Sequence, residues 1–109
     1  MKLLAAVPSC EAHKDRHKVI MDTWGKDAED SGIEVEFFTG HMLAVPDDYA
    51  NLWKKTQAIC RWAVFGGYDY IARIDTDTYV HVPRLLASGF ENYDYSGYVR
   101  PDFLPKYAY

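Results

Sequence analysis

Asp75 and Asp77 stand two apart, directly after the largely apolar run Tyr68-Asp69-Tyr70-Ile71-Ala72-Arg73-Ile74. If the backbone is still extended there, side chains two apart share one face. Two carboxylates side by side repel each other unless a cation lies between them, and hard divalent ions such as Mn²⁺ or Mg²⁺ favour such oxygen ligands. These ions keep several waters and complete their shell from substrate phosphates, so two aspartates are enough protein to hold a metal on a diphosphate. The tripeptide Asp75-Thr76-Asp77 is common by chance, and its plainer reading is a solvated turn capped by Asp and Thr side chains. Its place at the carboxyl end of a hydrophobic strand is what gives the chemical reading weight. The pattern serves two chemistries: metal-dependent transfer of a sugar from a nucleotide diphosphate, and phosphoryl transfer through an aspartyl nucleophile. Against the second, Lys106 is the one lysine after Asp77, and no second acidic pair follows a strand.

The elements that must position these residues alternate along the chain. Residues 2–7 form a continuous apolar run bounded by Pro8-Ser9, as expected of a buried parallel strand. His17, Ile20, Met21 and Trp24 have helical spacing over 13–24, with Gly25 as the stop. Residues 33–39 read as a second strand and 40–48 as a loop. The longest helix is expected over 49–65, with the stripe Leu52, Thr56, Ile59, Ala63 flanked by Trp53, Cys60 and Val64, and Gly66-Gly67 ending it. Residues 68–74 form the third strand. A short strand is expected over 79–82, a helix from Pro83 through Ser88, and a last strand over 93–99. Strand, helix, strand, helix, strand predicts an α/β fold with a mainly parallel sheet, whose ligands bind at the carboxyl ends of the strands.

Composition narrows the partners. The chain has 109 residues, the size of one domain, and its 16% aromatic content is too rich in core-formers for disorder. Acidic residues outnumber basic ones 16 to 12, which argues against nucleic acid as a partner. No apolar run approaches the ~20 residues of a membrane-spanning helix, and the opening run is shorter than the ~7–15 residues of a signal-peptide core. The expectation is therefore no membrane anchor, and a cytoplasmic protein if the chain is complete. Cys10 and Cys60 make neither a disulfide framework nor a metal-ligand pair by spacing, and are expected as two reduced thiols.

A wider set of residues carries a family likeness. Asn51-Leu52-Trp53-Lys54-Lys55-Thr56, a helix, and then Tyr70-Ile71-Ala72-Arg73-Ile74-Asp75-Thr76-Asp77-Thr78-Tyr79-Val80 resemble the β-1,3-glycosyltransferases that include the Fringe and core 1 galactosyltransferase enzymes. Upstream, Arg16, Ile20, Thr23 and Trp24 fall at that family's Arg-x-x-x-Arg/Ile-x-x-Thr-Trp spacing, and Phe37-Phe38-Thr39-Gly40 is similar to its strand ending in Phe-x-x-Gly. Tyr95-Ser96-Gly97-Tyr98-Val99 stands where the family has a Gly-containing strand. The likeness spans about residues 3–109. The local Asp-x-Asp-x-Thr pattern also resembles haloacid dehalogenase-type phosphatases, one residue off their spacing.

The glycosyltransferase resemblance implies a GT-A-type, Rossmann-like α/β/α sandwich over residues 1–109, a single nucleotide-sugar-binding domain that is partial relative to the family. It implies Mn²⁺ or Mg²⁺, a UDP-sugar donor, and inverting hexosyl transfer to a hydroxyl of a glycan, protein or other acceptor. Asp77 would ligate the metal directly, and Asp75 would bind it through water or hold the donor ribose. Arg16, Lys55, Ser9 and Arg73 are the expected donor-binding residues. The family's triple acid has Thr76 in its middle here, and its lysine before the acids is Arg73. The catalytic base and the family's further metal-ligating His have no counterpart after Asp77, so the base is unknown, and a non-catalytic nucleotide-sugar-binding module or inactive fragment is the alternative. His13, His17 and His41 are assigned no role, and His81 is read as a surface or core histidine. Trp24, Trp53 and Trp62 are read as packing residues, and the tyrosine-rich stretch from Tyr93 to Tyr109 as an aromatic edge needing cover.

Overall fold

The structure is a computed structural model that describes residues 1–97. Strand β1, Leu3–Pro8, is buried at every position through Val7. Its apolar run has no polar alternation, so it can sit only where both faces are covered. Strands β2, Glu34–Phe38, and β3, Tyr70–Arg73, flank it in parallel, giving the order β2-β1-β3. Ala5 pairs with Val35 on one side and Ala72 on the other.

Alternation along β1 splits the core in two. Leu3, Ala5 and Val7 pack with Ile20, Trp24 and Ala28 on one face, while Leu4 and Ala6 pack with Ile59 and Ala63 on the other. The first set belongs to helices α1, Lys14–Asp22, and α2, Trp24–Asp30. The second belongs to α4, Leu52–Phe65, which follows the short helix α3, Gly40–Leu43. The chain steps from β1 out to β2, then passes back across β1 to β3. Two right-handed crossovers in opposite directions demand helices on opposite faces, and that is the arrangement. Burying Leu4 or Val7 completely is worth about 1.5–3 kcal/mol each, so β1 anchors both layers. Among the described residues no helix is long and apolar enough to cross a membrane, and Cys10 and Cys60 are free thiols.

The structure corrects several expectations. The helix over 13–24 breaks at Thr23, whose φ/ψ of −121°/−112° is not helical. The Thr23 hydroxyl donates instead to the Val19 and Ile20 carbonyls, at 2.7 and 3.2 Å. Gly25 is not a stop but lies inside α2, where a Cβ would come 2.8 Å from the Ile20 carbonyl oxygen. The loop over 40–48 contains α3, and a Cβ on Gly40 would meet the Val45 oxygen at 2.2 Å, so the return of the chain there needs glycine.

The buried stripe of α4 is Lys55, Ile59 and Ala63; it shares Ile59 and Ala63 with the expected one but has Lys55 in place of Leu52 and Thr56. Leu52, Trp53, Cys60 and Val64 face outward, and Trp53, at 63% exposure, is no packing residue. Trp24 and Trp62 do pack, Trp62 edge-on to Phe38 with 5.1 Å between ring centres. No strand forms over 79–82. His81 caps helix α5, Val82–Leu86, its Nδ1 accepting from the Arg84 amide at 3.3 Å. Residues 93–97 of the expected last strand are irregular, and 98–99, with the rest of the tyrosine-rich stretch, lie outside the described residues.

Candidate functional site

In a sheet of order β2-β1-β3 the connections leaving β1 and β3 diverge, and a crevice opens at their carboxyl ends. A cleft of about 540 Å³ lies there, within the range of about 300–1,000 Å³ usual for small-molecule sites. Ser9 and Cys10 enter it from the end of β1 and His13 and Arg16 from the helical segment that follows. Asp47, Asp48, Tyr49, Leu52 and Lys55 come from the approach to α4 and its first turn, and Arg73, Asp75, Thr76 and Asp77 from the end of β3. Every residue expected to bind donor or metal therefore lines one cleft. Two other hollows, of about 470 and 910 Å³, flank the outer edge of β3. The strand ends and the sequence motifs converge on the 540 Å³ cleft rather than on the largest of the three, so size alone does not pick the site.

Ser9 is the floor of the cleft, tied to three elements. Its amide donates to the Phe38 carbonyl at the end of β2, at 2.8 Å. Its carbonyl accepts from Lys55 Nζ on α4. Its hydroxyl lies 2.5 Å from His17 Nε2 on α1. Lys55 is only 5% exposed, and its ammonium also donates to Asp47 Oδ1 at 2.7 Å. Removing an ammonium from water is tolerable only where oxygens replace its hydration, and these two do. Asp48 Oδ1 accepts from the backbone amide and the side chain of Asn51, at 3.0 and 2.7 Å, and caps the segment leading into α4.

The acidic rim is built differently. The backbone is not extended through the two aspartates; it turns, as in the plainer reading of the tripeptide, with the Thr78 amide donating to the Asp75 carbonyl at 3.1 Å. The turn is pinned from outside. The Ile74 amide donates to the Ala6 carbonyl at 2.9 Å, carrying the pairing one residue past β3. Trp24 Nε1 donates to the Thr78 carbonyl at 3.1 Å, and Arg16 Nη1 to Thr76 Oγ1 at 3.0 Å. Arg73 Nη1 is 3.8 Å from Asp75 Oδ1, a loose and exposed pair. Both aspartates are exposed, and among the described residues neither carboxylate accepts a hydrogen bond.

Two open carboxylates beside a cationic wall suit a hexaaqua-type ion, which needs few protein ligands. A cage for a soft or tetrahedral metal is another matter, since the described residues hold no group of three His, Cys, Asp or Glu at ligand distance. His17 stacks on Phe37, with ring centres 4.0 Å apart, and its pKa is lowered from 6.5 by burial and by the Lys14 charge, against a smaller pull from Asp15.

Sequence reasoning missed Asp47, Asp48, Tyr49 and the anchoring of Thr76 by Arg16. The available signal was Lys55 itself: a lysine in register with Ile59 and Ala63 must find an acid, and Asp47 stands just ahead of the helix. No family model, no curated protein and no solved structure matches this chain.

Proposed function

We propose that this domain binds a nucleotide-diphosphate sugar and serves metal-dependent hexosyl transfer from a UDP-sugar to an acceptor hydroxyl, on a GT-A-type fold with inversion. The observation that carries the reading is convergence: Ser9, Arg16, Lys55, Arg73, Asp75 and Asp77, drawn from separate segments, line one cleft at the switch point of the sheet. Asp77 and Asp75 would hold Mn²⁺ or Mg²⁺, which when bound offsets charge on the leaving diphosphate. Arg16 and Arg73 add positive charge along the same wall, favouring an anionic ligand. Arg16 also fixes the turn through Thr76 and so sets the spacing of the two carboxylates. Lys55 holds the Ser9 carbonyl, which keeps the floor in place when a ligand enters.

Calorimetric titration of UDP in the presence of Mn²⁺ tests the reading. Binding by the native chain and its loss in Asp77→Ala supports it; equal binding by both rejects it. A second reading, nucleotide-sugar binding without turnover, is favoured by one feature. The other two carboxylates of the cleft are occupied, Asp47 by Lys55 and Asp48 by Asn51. Sugar transfer to an acceptor by the same chain would reject that second reading.

A further inference from the structure

We propose that His17 is a positioning residue of the cleft. As a neutral imidazole carrying its proton on Nδ1, it accepts a hydrogen bond from the Ser9 hydroxyl on Nε2 and so fixes that hydroxyl as an acceptor for an N–H or O–H group of the ligand. This rests on the reading of the cleft as a nucleotide site and deepens it, because it assigns a donor group of the ligand, an imide N–H or a sugar hydroxyl, to the cleft floor.

The geometry is specific. Ser9 is 4% exposed, and its Oγ is 2.5 Å from His17 Nε2. Its other near acceptor, the Cys10 carbonyl, is at 3.5 Å and competes poorly. A hydroxyl has one proton and two lone pairs, so committing the proton to the ring leaves only acceptor capacity toward the cleft. The ring cannot swing away easily, since it lies nearly parallel to Phe37, 15° between planes.

The charged and titratable groups around the ring favour the neutral form. On its own helical segment these are His13, Lys14, Asp15, Arg16 and Lys18. The end of β1 adds the Cys10 thiol beside Ser9. From α4 the Lys55 ammonium sits on the Ser9 carbonyl. Strand β2 presents Phe37, while alternation puts Glu34 and Glu36 on its opposite face. Burial and Lys14 outweigh Asp15, so the ring is neutral near pH 7.

Protonation makes both ring nitrogens donors and reverses the bond, turning the Ser9 proton toward the cleft and against the ligand's donor. An added positive charge acting alone would do the opposite and tighten an anionic ligand. The sign of the pH response therefore separates positioning from simple electrostatics.

The experiment uses the full chain in two arms. Nitrogen-15 spectra of the imidazole, in the native protein and in Ser9→Ala, read which nitrogen carries the proton without any ligand. The expected result is an Nδ1–H tautomer whose Nε2 resonance moves in Ser9→Ala; an Nε2–H tautomer overturns the proposal. Calorimetry with UDP and Mn²⁺ compares the native chain, His17→Gln and His17→Leu, with melting curves confirming that each folds. At about pH 8, where the native ring is neutral, Gln supplies an acceptor at the Nε2 position and should bind within about twofold of native. Leu supplies none and should bind about fivefold more weakly, the worth of one hydrogen bond. Between about pH 8 and a pH below the imidazole pKa read from the same nitrogen-15 spectra, the native protein should weaken about fivefold more than His17→Gln. An equal response in the two, or tighter native binding in acid, overturns the proposal. No UDP binding by the native chain at any pH rejects the nucleotide reading instead, and the tautomer then decides the Ser9–His17 pair alone.

Discussion

The floor and the rim of the cleft are made on opposite plans. At the floor, Ser9 and Lys55 are buried and every hydrogen-bonding group has a protein partner: Phe38, His17, Asp47 and each other. At the rim, the backbone of the turn is pinned by Trp24, Arg16 and Ala6, yet the two carboxylates it carries are left open to water. The floor is thus part of the folding problem, and its geometry is set before any ligand arrives. The rim spends its packing on the main chain and leaves the acids unclaimed. The floor residues are satisfied from within, and the two carboxylates of the rim are not.

The floor is where substitution should do most damage. Lys55→Met keeps the length of the stem and its packing but removes the ammonium, leaving the Ser9 carbonyl and Asp47 without their donor. Breaking a fully buried ion pair from one side costs about 3–5 kcal/mol. Asp47 is 30% exposed on its side chain and can rehydrate, so the expected loss is about 2–3 kcal/mol. Urea unfolding checks this; a midpoint unchanged from the native protein would mean that the lysine is not structural.

Next in size is the pin behind the rim. Trp24→Phe retains an aromatic ring in the core but loses the indole N–H that reaches the Thr78 carbonyl. One lost hydrogen bond plus the volume deficit gives about 2 kcal/mol at most. Because Thr78 closes the turn that carries Asp75 and Asp77, this variant should also weaken Mn²⁺-dependent UDP binding measured well below its melting temperature. Loss of stability with unchanged binding would show that the turn holds its shape without Trp24.

These two residues also mark what could be read in the sequence. Trp24 was legible as core and β1 as a central strand, because an apolar run with no polar member has one place to go. Lys55 was expected at the donor site but not in the buried stripe of α4, because a stripe counted as Leu52, Thr56, Ile59 and Ala63 passes over a charged residue whose partners lie elsewhere in the chain. Asp47 was invisible for the same reason, its meaning arising only from contact with Lys55. The break at Thr23 was missed because it depends on side-chain bonds rather than on local propensity; the turn at Asp75 was legible as one of two readings, but its pins from Ala6, Arg16 and Trp24 were not. The two acids were picked out by type and position, and the structure sets them exposed at the carboxyl end of β3, where no tertiary partner is needed to notice them.

A smaller effect tests the floor through His17. His17 has a folded pKa below 6.5, so the folded state binds fewer protons than the unfolded one in that region, and stability rises with pH. On acidification the loss begins as the pH falls through 6.5 and is complete below the folded value. His17→Gln cannot titrate, and its stability measured by urea unfolding at about pH 8 and about pH 5 should fall less than that of the native protein. An equal fall in both would place the acid sensitivity elsewhere.

The rim should show the smallest effect on folding and, on the proposed function, a large one on binding. Asp77→Asn keeps the shape of the side chain and removes its charge. Because neither carboxylate accepts a hydrogen bond among the described residues, and because both are exposed, nothing in the fold depends on that charge. Stability should change by less than about 0.5 kcal/mol, as for ordinary surface substitutions. If anything it should rise slightly, since two negative charges two residues apart repel. UDP binding with Mn²⁺ should nevertheless fall on the order of tenfold or more, about 1.4 kcal/mol, while any metal-independent binding to the floor should persist. A loss of stability as large as that of Lys55→Met would mean that Asp77 belongs to the folding network after all, and the division between a self-satisfied floor and an open rim would fail.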